Sequence, residues 1–450
     1  MSFISLEFVL LFLLCFTLYH FISDKGRKLV LLAASGVFIG YFNPAFLVTA
    51  LVVSLFTYGA AILIEQAREK GRGFRLIYWG GISCLVLCWI GFRYANRLTG
   101  DSGFIFPLGM SFYTFQAIGY LTEVYWEEEK AERRPIDFLL YMLLFMKFLS
   151  GPIERSADLL PQVRKLSPAS YSMMTYGLKL IVVGLVKKLV LADHIAPYID
   201  GVFSSMHTAS GVQLLMACLL YPIELYADFS GYTDMAIGIG MLFGLKLSSN
   251  FAHPFAAQTT AEFWRRWHIS LSGWFRDYLY IPLGGNRKGN VRTWLNRFLV
   301  FFATGLWHGA SWTFVLWGLW HGLFSVLEDC GAIPVDKLKG KRIGQLYTLL
   351  VVVLGFTLFR ADTLAQAGAM YAAMFSGIGL HWLGTAAVWA KFTPAFALTL
   401  CLALLLCTPV AREHTPKREN VTFIGSLALL LLCMMYLAAG SFNPFIYFRF

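Results

Sequence analysis

The stretch that decides the fold class is residues 45–64, which reads AFLVTALVVSLFTYGAAILI and contains no charged residue. A helix needs about 20 apolar residues to cross the hydrocarbon core of a bilayer. Comparable runs recur along the chain, and the clearest are residues 6–22, 76–92, 212–227, 343–359, 392–410 and 421–439. The sequence therefore predicts an all-α, polytopic membrane protein.

Polar residues interrupt a second group of apolar segments. These weaker candidates are residues 29–42, 104–125, 138–153, 176–192, 232–247, 298–307 and 312–327. If some of them are re-entrant or lie at the interface, the chain makes about ten to twelve crossings of roughly 20 residues each.

The composition excludes an ordinary soluble protein. Of the 450 residues, 58% are hydrophobic and 14% are charged, whereas a soluble domain has about 25% charged residues. The longest polar stretches, residues 126–135 and 286–296, are too short to build a core of their own, so we expect one integral-membrane domain over residues 1–450. The eight cysteines lie mostly in apolar runs, where cysteine acts as a small hydrophobic residue. Neither a disulfide framework nor a metal site is expected.

The distribution of positive charge indicates the orientation. The net charge is +11, and residues 24–28 and 65–75 each carry +2. Two apolar segments separate these basic loops, so both lie on one face, which the positive-inside rule assigns to the cytoplasm. The amino terminus is then outside. Simple alternation would leave the basic residues 155–165 outside, so we expect residues 138–153 or a neighbour to be re-entrant or interfacial. Irregular backbone at membrane depth needs protein or water around it, so we expect a cavity in the middle third of the chain.

Two polar motifs with a histidine stand inside this apolar sequence: Phe263-Trp-Arg-Arg-Trp-His-Ile-Ser-Leu-Ser272 and Gly305-Leu-Trp-His-Gly-Ala-Ser311. Ionisable residues are costly at bilayer depth and indicate a functional site. Burial would keep His308 neutral, and a neutral imidazole can take a proton from an attacking hydroxyl. Alternatively, His308 bonds the carbonyl of a neighbouring helix. His268 either orients a donor or an intermediate, or it holds an interfacial helix in place by a hydrogen bond.

The five residues Gly-Leu-Trp-His-Gly occur twice, at 305–309 and at 318–322. On one straight helix, an offset of 13 residues corresponds to a rotation of about 220°. His308 and His321 would then lie on nearly opposite faces and could not form a pair. We expect His321 to be a packed structural histidine.

Cations are concentrated around the first motif, at Arg265, Arg266 and Arg276. Arginine binds phosphate through two parallel hydrogen bonds, and tryptophans such as Trp267 can pack beneath the cations. One interpretation is a docking surface for a phosphorylated acyl donor such as a coenzyme A thioester. The other is ordinary positive-inside topology together with binding of anionic lipids.

A patch of acidic and hydroxyl residues, Asp228-Phe-Ser-Gly-Tyr-Thr-Asp234, lies between two apolar runs. Asp228 and Asp234 could form a proton or cation path, line a substrate tunnel, or pair with the arginines around Trp267. Lys187 and Lys188 also lie in an apolar setting, and we expect their side chains to extend toward an interface.

These motifs resemble those of the membrane-bound O-acyltransferase (MBOAT) family, in particular the branch that contains the membrane subunit of bacterial alginate O-acetyltransferases. The matching runs follow the family's order over the whole chain: Phe106-Pro-Leu-Gly-Met-Ser-Phe-Tyr-Thr-Phe-Gln116, Gly151-Pro-Ile-Glu-Arg155, Asp228-Phe-Ser-Gly-Tyr-Thr-Asp234, residues 250–255, 263–272 and 305–309, Phe359-Arg-Ala361 and residues 445–450. Asn250 matches a family position, although the following Phe251-Ala-His-Pro-Phe255 departs from the family's Pro-Tyr form.

The resemblance implies a ring of helices around a thin central membrane region, with a cytoplasmic funnel for the donor and an outward funnel for the acceptor. It makes His308 the catalytic base and His268 the second polar residue of the active site. The substrate-binding residues that we expect are Trp267, Trp307, Asn250, Asp228, Asp234, Arg265, Arg266 and Arg276. No bound cofactor is expected, and the acyl donor is expected to be acetyl-CoA or another acyl thioester.

The expected function is transfer of an acyl group, in particular acetyl, from a cytoplasmic thioester to a hydroxyl at the outer face. This chemistry would O-acetylate an exported or cell-envelope polysaccharide such as alginate. We expect a bacterial cytoplasmic (inner) membrane location, contact with membrane lipids, a periplasmic acetyltransferase partner and no nucleic acid. The acceptor is either the polysaccharide or a hydroxyl of that partner. The alternatives are D-alanyl transfer to teichoic acid from a carrier-protein thioester, and a transporter whose histidines relay protons.

Overall fold

The computed structural model describes residues 1–95, 105–375, 393–407, 419–438 and 440. Every regular element in these residues is a helix, which confirms the all-α prediction. The terminal family run, residues 445–450, lies outside the described residues. The chain forms two compact units, Met1–Ile181 with Met235–Ser249 and Val182–Asp234 with Asn250–Phe450. The expectation of a single membrane domain stays a prediction.

The first unit is built from the amino-terminal helices. They are α1 (Leu6–Phe21), α2 (Asp24–Phe42), α3 (Pro44–Glu69), α4 (Phe74–Arg93), α5 (Met110–Tyr125), α6 (Pro135–Leu143), α7 (Phe145–Phe148), α8 (Ser156–Arg164) and most of α9 (Tyr171–Leu185). Local sequence sets the start of α3, because the Asn43 side chain accepts a hydrogen bond of 2.9 Å from the Ala45 N–H and Pro44 occupies the first turn. Asparagine is favoured at the N-cap of a helix, and proline is favoured at the first helical position.

The weak apolar segment 138–153 is broken in the structure. It falls on α6, with nine residues, and α7, with four, both too short for a crossing of about 20 residues. The expectation that this segment or a neighbour is re-entrant or interfacial stays a prediction. The buried Lys147 of α7 donates to Gln116 Oε1 at 2.5 Å, and a Cβ on Gly151 would lie 2.4 Å from the Lys147 Cα. The family runs 106–116 and 151–155 therefore meet at one buried lysine.

The second unit begins with the π-helical segment Val186–Ala192. Its helices are α10 (Asp193–Ser204), most of α11 (Gly211–Leu242), α12 (Thr260–Arg266), α13 (Ile269–Phe275), α14 (Asn290–His308), α15 (Trp312–Asp329), α16 (Val335–Leu338), α17 (Arg342–Arg360), α18 (Leu364–Phe375), α19 (Pro394–Cys407) and α20 (Glu419–Ala438).

Helix α11 joins two segments that the sequence separated, residues 212–227 and 232–247. The patch between them stays helical: Thr233 Oγ1 donates back to the Phe229 carbonyl at 2.9 Å. Gly231 lies so close to the carboxyl end of α9 that a Cβ there would be 2.8 Å from the Gly184 carbonyl oxygen. The two predicted segments are therefore one helix of 32 residues, about 48 Å long.

Four described helices are long and apolar enough to cross a membrane: α3, α4, α11 and α17. Helix α1 and the apolar part Phe423–Ala438 of α20 are shorter apolar helices. These helices support a multi-pass membrane protein, while the number of ten to twelve crossings stays a prediction.

Helices α14 and α15 form a tightly packed pair joined by residues 309–311. A Cβ on Gly305 would lie 2.5 Å from the Phe314 carbonyl oxygen, and a Cβ on Gly318 would lie 2.3 Å from the Phe301 carbonyl oxygen. Only glycine permits this backbone approach. Ser311 starts α15, since its Oγ accepts from the Thr313 N–H at 3.3 Å. This pair, with α17 packed on α15, carries the candidate site.

Candidate active site

His308 is the last residue of α14, and its ring lies in an aromatic environment. The side chain is 6% exposed. Its ring centroid lies 4.7 Å from that of Trp307 and 5.0 Å from those of Trp317 and Phe359. Helices α14, α15 and α17 each supply one of these neighbours. The predicted catalytic base is thus desolvated and fixed by rings on several helices.

His268 lies between α12 and α13 in a backbone conformation that is uncommon for histidine, with φ of 45°. Asn250 stabilises this conformation: its carbonyl oxygen accepts from the Ile269 N–H at 2.9 Å, and its Oδ1 accepts from the Ser270 N–H at 3.1 Å. Burial lowers the pKa of His268 to about 3. His268 is therefore a neutral imidazole at physiological pH, held by a strained turn of the kind found at functional sites.

Trp307 brings the two predicted catalytic histidines into one neighbourhood. Its ring centroid lies 6.4 Å from that of His268 and 4.7 Å from that of His308. On α11, Phe229 packs against His268 with a centroid distance of 4.7 Å. Four helices of the second unit, α11, α14, α15 and α17, and the turn between α12 and α13 therefore contribute rings to one buried cluster.

Trp267 and Asn250 occupy supporting positions. Trp267 stacks on Phe263 at 5.4 Å and also lies 5.1 Å from Phe356, with 3% of its surface exposed. Asn250 is fully buried and bonds the backbone beside His268. The substrate-binding roles assigned to both residues stay predictions, and the contacts show that both fix the segment carrying His268.

Helix α12, which carries the arginines and leads to His268, is anchored at its amino end by residues that sequence reasoning missed. The buried carboxylate of Glu328 accepts from the backbone N–H groups of Thr260 at 2.5 Å and Ala261 at 3.1 Å. Thr259 Oγ1 accepts from the Glu262 N–H at 3.0 Å. The spacing of Thr259 and Glu262 is a recognised start signal for a helix, whereas Glu328 gives no comparable signal because it comes from α15.

The basic run surrounds a surface cavity of about 500 Å³, a volume within the usual range for ligand sites. The cavity is lined by Gln258, Thr259, Glu262, Arg265, Arg266 and Lys339. Arg266 pairs with Glu262 at 2.6 Å, and Arg265 is exposed. Lys339, from the loop before α17, was not expected there. An anionic group is the natural complement of this lining, because three cations face one carboxylate.

Arg276 does not line that cavity. It is exposed and forms a two-point ion pair with Asp277, with distances of 2.6 and 3.1 Å. Of the three predicted donor-binding arginines, the structure thus brings Arg265 and Arg266 together and places Arg276 apart from them.

The acidic patch pairs with lysines. Lys188 Nζ lies 2.8 Å from both Asp228 Oδ1 and Asp193 Oδ1, and Lys187 Nζ lies 2.6 Å from Asp234 Oδ2. Of the alternatives that the sequence left open for the aspartates, the structure shows ion pairing, with lysines as the partners. The expectation that the lysines extend to an interface is wrong for Lys188, which is 5% exposed. The physical reason is that a buried carboxylate needs a nearby cation. The substrate-binding role of the two aspartates stays a prediction.

The second motif copy lies closer to the first than a straight helix would allow. Because the chain turns at residues 309–311, His308 and His321 do not share a helix. Both rings contact Trp317, with centroid distances of 5.0 Å for His308 and 5.4 Å for His321. The calculation of nearly opposite faces therefore does not apply to this fold.

Comparisons with known proteins identify the family to which this chain is similar. The family model for the membrane-bound O-acyltransferase family matches residues 127–330, which include both motifs. The chain is 35% identical to a probable alginate O-acetylase AlgI of Pseudomonas putida over 100% of both chains. It is 38% identical to that of Pseudomonas aeruginosa over 84% of this chain and 75% of the relative. It is 30% identical to a peptidoglycan O-acetyltransferase of Helicobacter pylori over 94% of this chain and 91% of the relative.

These similarities extend over nearly the whole chain, far beyond the two histidine motifs. They favour an enzyme over the transporter alternative, which is not retained. The chain belongs to the membrane-bound O-acyltransferase family and is a multi-pass membrane O-acyltransferase.

Proposed function

We propose that this protein transfers an acetyl group from a thioester donor to a hydroxyl in the O-acetylation of an exported or cell-envelope polysaccharide such as alginate. The observation that carries the proposal is the buried cluster in which His268 and His308 both lie beside Trp307. The names of the relatives support the acetyl group, since they describe alginate and peptidoglycan O-acetylation.

In the proposed reaction, a ring nitrogen of neutral His308 accepts the proton of the acceptor hydroxyl while the hydroxyl oxygen attacks the thioester carbonyl. His268, neutral because of its low pKa, or the indole N–H of Trp307 donates a hydrogen bond to the developing oxyanion. The C–S bond then breaks, the acyl group remains on the acceptor oxygen as an ester, and the thiol leaves with the proton that His308 returns.

The donor is proposed to bind through its phosphates at the cavity of Arg265, Arg266 and Lys339. The segment from α16 to the first residue of α17, residues 336–342, carries +3 and belongs on the cytoplasmic side by the positive-inside rule. We therefore place donor entry on the cytoplasmic face of the bacterial inner membrane, the acceptor on the outer face and the amino terminus outside. Arg276 is a further candidate for contacts with the donor or with anionic lipids.

The acceptor hydroxyl belongs either to the polysaccharide or to a periplasmic acetyltransferase partner that passes the group on. Both acceptors would use the same His308 chemistry, since each presents a hydroxyl to the same thioester. The two routes differ in whether glycan alone suffices for turnover.

The test is thioester cleavage by the purified protein in lipid nanodiscs, with acetyl-CoA, longer acyl-CoA and a D-alanyl carrier protein as donors. We expect wild type to cleave acetyl-CoA, and His308→Ala to be slower by about 10³-fold, within the range for loss of a general base. His207→Ala, at an exposed histidine, is the matched control and should retain full activity. Cleavage of the D-alanyl carrier alone would favour the teichoic acid alternative. No cleavage of any donor, with glycan and partner supplied, would refute the proposal.

A further inference from the structure

Three side chains, one of which contacts the His308 ring, have buried polar atoms with no hydrogen-bond partner among the described residues. These atoms are the indole nitrogens of Trp264 and Trp317 and both ring nitrogens of His321. His321 is 0% exposed and Trp317 is 1% exposed. Most buried polar side-chain atoms in proteins have a partner, and each exception calls for an explanation. Four such atoms lie together here, on three side chains that contact one another.

The three rings touch one another and close a triangle. Their centroid distances are 4.9 Å for Trp264 and His321, 5.4 Å for Trp317 and His321, and 5.5 Å for the two tryptophans. Each pair meets edge to face, with interplanar angles between 72° and 85°. The rings belong to α12 and α15, so the triangle ties together the helix with the arginines and the helix with the second motif copy.

Helix α17 limits the movement of His321. A Cβ on Gly355 would lie 2.6 Å from His321 Nε2, so the imidazole lies directly against the backbone of that helix. His321 is therefore fixed in place by α17 on one side and by the two tryptophans on the other.

The chemistry of the triangle suits a single oxygen atom. The two indole N–H groups can only donate hydrogen bonds, while a neutral imidazole offers one donor and one acceptor nitrogen. A water molecule accepts two hydrogen bonds and donates others, and buried waters in proteins make about three hydrogen bonds. A carbonyl oxygen would satisfy the donors but would leave the imidazole acceptor without a proton.

We propose that Trp264, Trp317 and His321 bind one internal water molecule, and that this water fixes the Trp317 ring against His308. Trp317 meets His308 edge to face, at 5.0 Å and 90°, so a rotation of its indole would displace the catalytic ring. His321 is then a positioning residue that acts on the reaction through the water and Trp317. This role in the reaction rests on the proposed function, whereas the water site does not.

The direct test is a structure of the full-length protein without donor, at a resolution that shows internal waters. We expect density for one water within about 3 Å of at least two of the three groups, the normal hydrogen-bond distance. A map that shows other internal waters but none in this triangle would overturn the proposal.

The kinetic test uses variants that remove hydrogen-bonding groups and keep the packing. Trp317→Phe removes one N–H, and His321→Leu removes both ring nitrogens. For each we expect kcat for acetyl-CoA cleavage to fall about tenfold, the effect of one lost hydrogen bond, with the KM for the donor unchanged. His321→Gln offers one donor and one acceptor and should restore most of kcat.

The matched control is Trp320→Phe. Trp320 precedes His321 on the same helix, but its indole N–H donates to the Val351 carbonyl at 2.9 Å, outside the triangle. Its loss should leave kcat within about twofold of wild type, as for residues without a shared partner. Equal losses in Trp317→Phe and Trp320→Phe would overturn the positioning role.

The identity of the oxygen bound between Trp264, Trp317 and His321 can be tested separately from the proposed function. A rise in donor KM with unchanged kcat in Trp317→Phe would identify a donor carbonyl as the occupant and overturn the assignment to water. If wild type cleaves no donor at all, the proposed function fails, and the density alone decides the water site.

Discussion

The two copies of the sequence Gly-Leu-Trp-His-Gly lie in different backbone settings. The first copy, residues 305–309, stands at the end of α14, whereas the second copy, residues 318–322, lies inside α15, which continues to Asp329. In both copies the first glycine allows the two helices to approach closely. The two histidines differ in position and burial. His308 is the last residue of its helix and is 6% exposed, whereas His321 lies in the middle of its helix and is 0% exposed. Five identical residues thus produce one candidate catalytic group and one enclosed group.

The residues after each copy explain the difference. Ala310 and Ser311 follow the first copy, and Ser311 caps a new helix. Leu323 and Phe324 follow the second copy and continue the apolar helix. A motif of five residues therefore does not specify a role, since the next two residues decide whether the backbone beside the histidine turns or stays helical.

The largest effect should come from removing one histidine at a time. We expect His308→Gln to lower the rate of thioester cleavage by about 10²–10⁴-fold, because the general base is lost. His321→Gln should lower it less than tenfold, since the amide keeps hydrogen-bonding groups in the triangle. The rates are compared in nanodiscs, with thermal unfolding as the check on folding. Equal losses in the two variants would contradict the division of roles between the copies.

The second prediction concerns a variant in which the two residues after the first copy are replaced by those that follow the second copy. In the double variant Ala310→Leu and Ser311→Phe, the cap is lost and the turn after His308 is disfavoured. A shift of the catalytic ring by about 1 Å is expected to cost about a hundredfold in kcat. Leu323→Ala and Phe324→Ser is the reverse exchange, and it should leave a larger share of activity because His321 is held on several sides. If the first exchange leaves activity intact, the turn does not position His308.

The sequence predicts the helical class and most helix positions because apolar length is a local property. Residues 45–64 and 343–359 fall within α3 and α17. The placement of His268 and His308 in one site was implied by the family resemblance, and the structure shows the ring contacts through Trp307. Without the family resemblance, the sequence allows either a catalytic or a structural role for each of the two histidines.

Contacts between distant residues could not be predicted in the same way. The Glu328 carboxylate accepts a hydrogen bond from the N–H of Thr260, which is 68 residues away in the sequence. Nothing in the α15 sequence indicates that Glu328 bonds the start of α12. The pairing of Asp228 with Lys188 depends on the π-helical segment Val186–Ala192, which the apolar run does not reveal. The continuity of α11 was missed because Ser230, Gly231 and Thr233 read as an interruption.

A third prediction concerns the two glycines at the α14–α15 approach. Gly305→Ala and Gly318→Ala each place a Cβ less than 3 Å from a backbone carbonyl oxygen, and backbone cannot move as a side chain can. We expect each to destabilise the protein by about 1–3 kcal/mol, as overpacking does. Gly59→Ala in α3, where a Cβ meets nothing within 4 Å, should be neutral or stabilising by up to about 1 kcal/mol. Thermal unfolding in detergent measures all three, and equal midpoints would refute the close approach.

The stability of the protein in acid should depend on His268, a histidine that neither copy contains. His268 has a pKa of about 3 in the folded protein, against 6.5 as its ordinary value. Between these values the unfolded chain binds more protons than the folded one, so acid destabilises the fold as the pH drops below 6.5, while above 6.5 this residue has no effect. The slope expected from one such group is about 1.4 kcal/mol per pH unit.

The variant His268→Asn tests this slope, because asparagine does not titrate and tolerates the left-handed backbone. We expect the unfolding free energy of the variant to fall less steeply than that of wild type between pH 6.5 and pH 4.5. His207→Asn, at an exposed position, should leave the slope unchanged. If His268→Asn and wild type lose stability in parallel, His268 binds its proton equally well in the folded and unfolded protein and is not desolvated. The water-excluded setting that strengthens a hydrogen bond to the oxyanion would then be absent at His268, and Trp307 would be the remaining candidate.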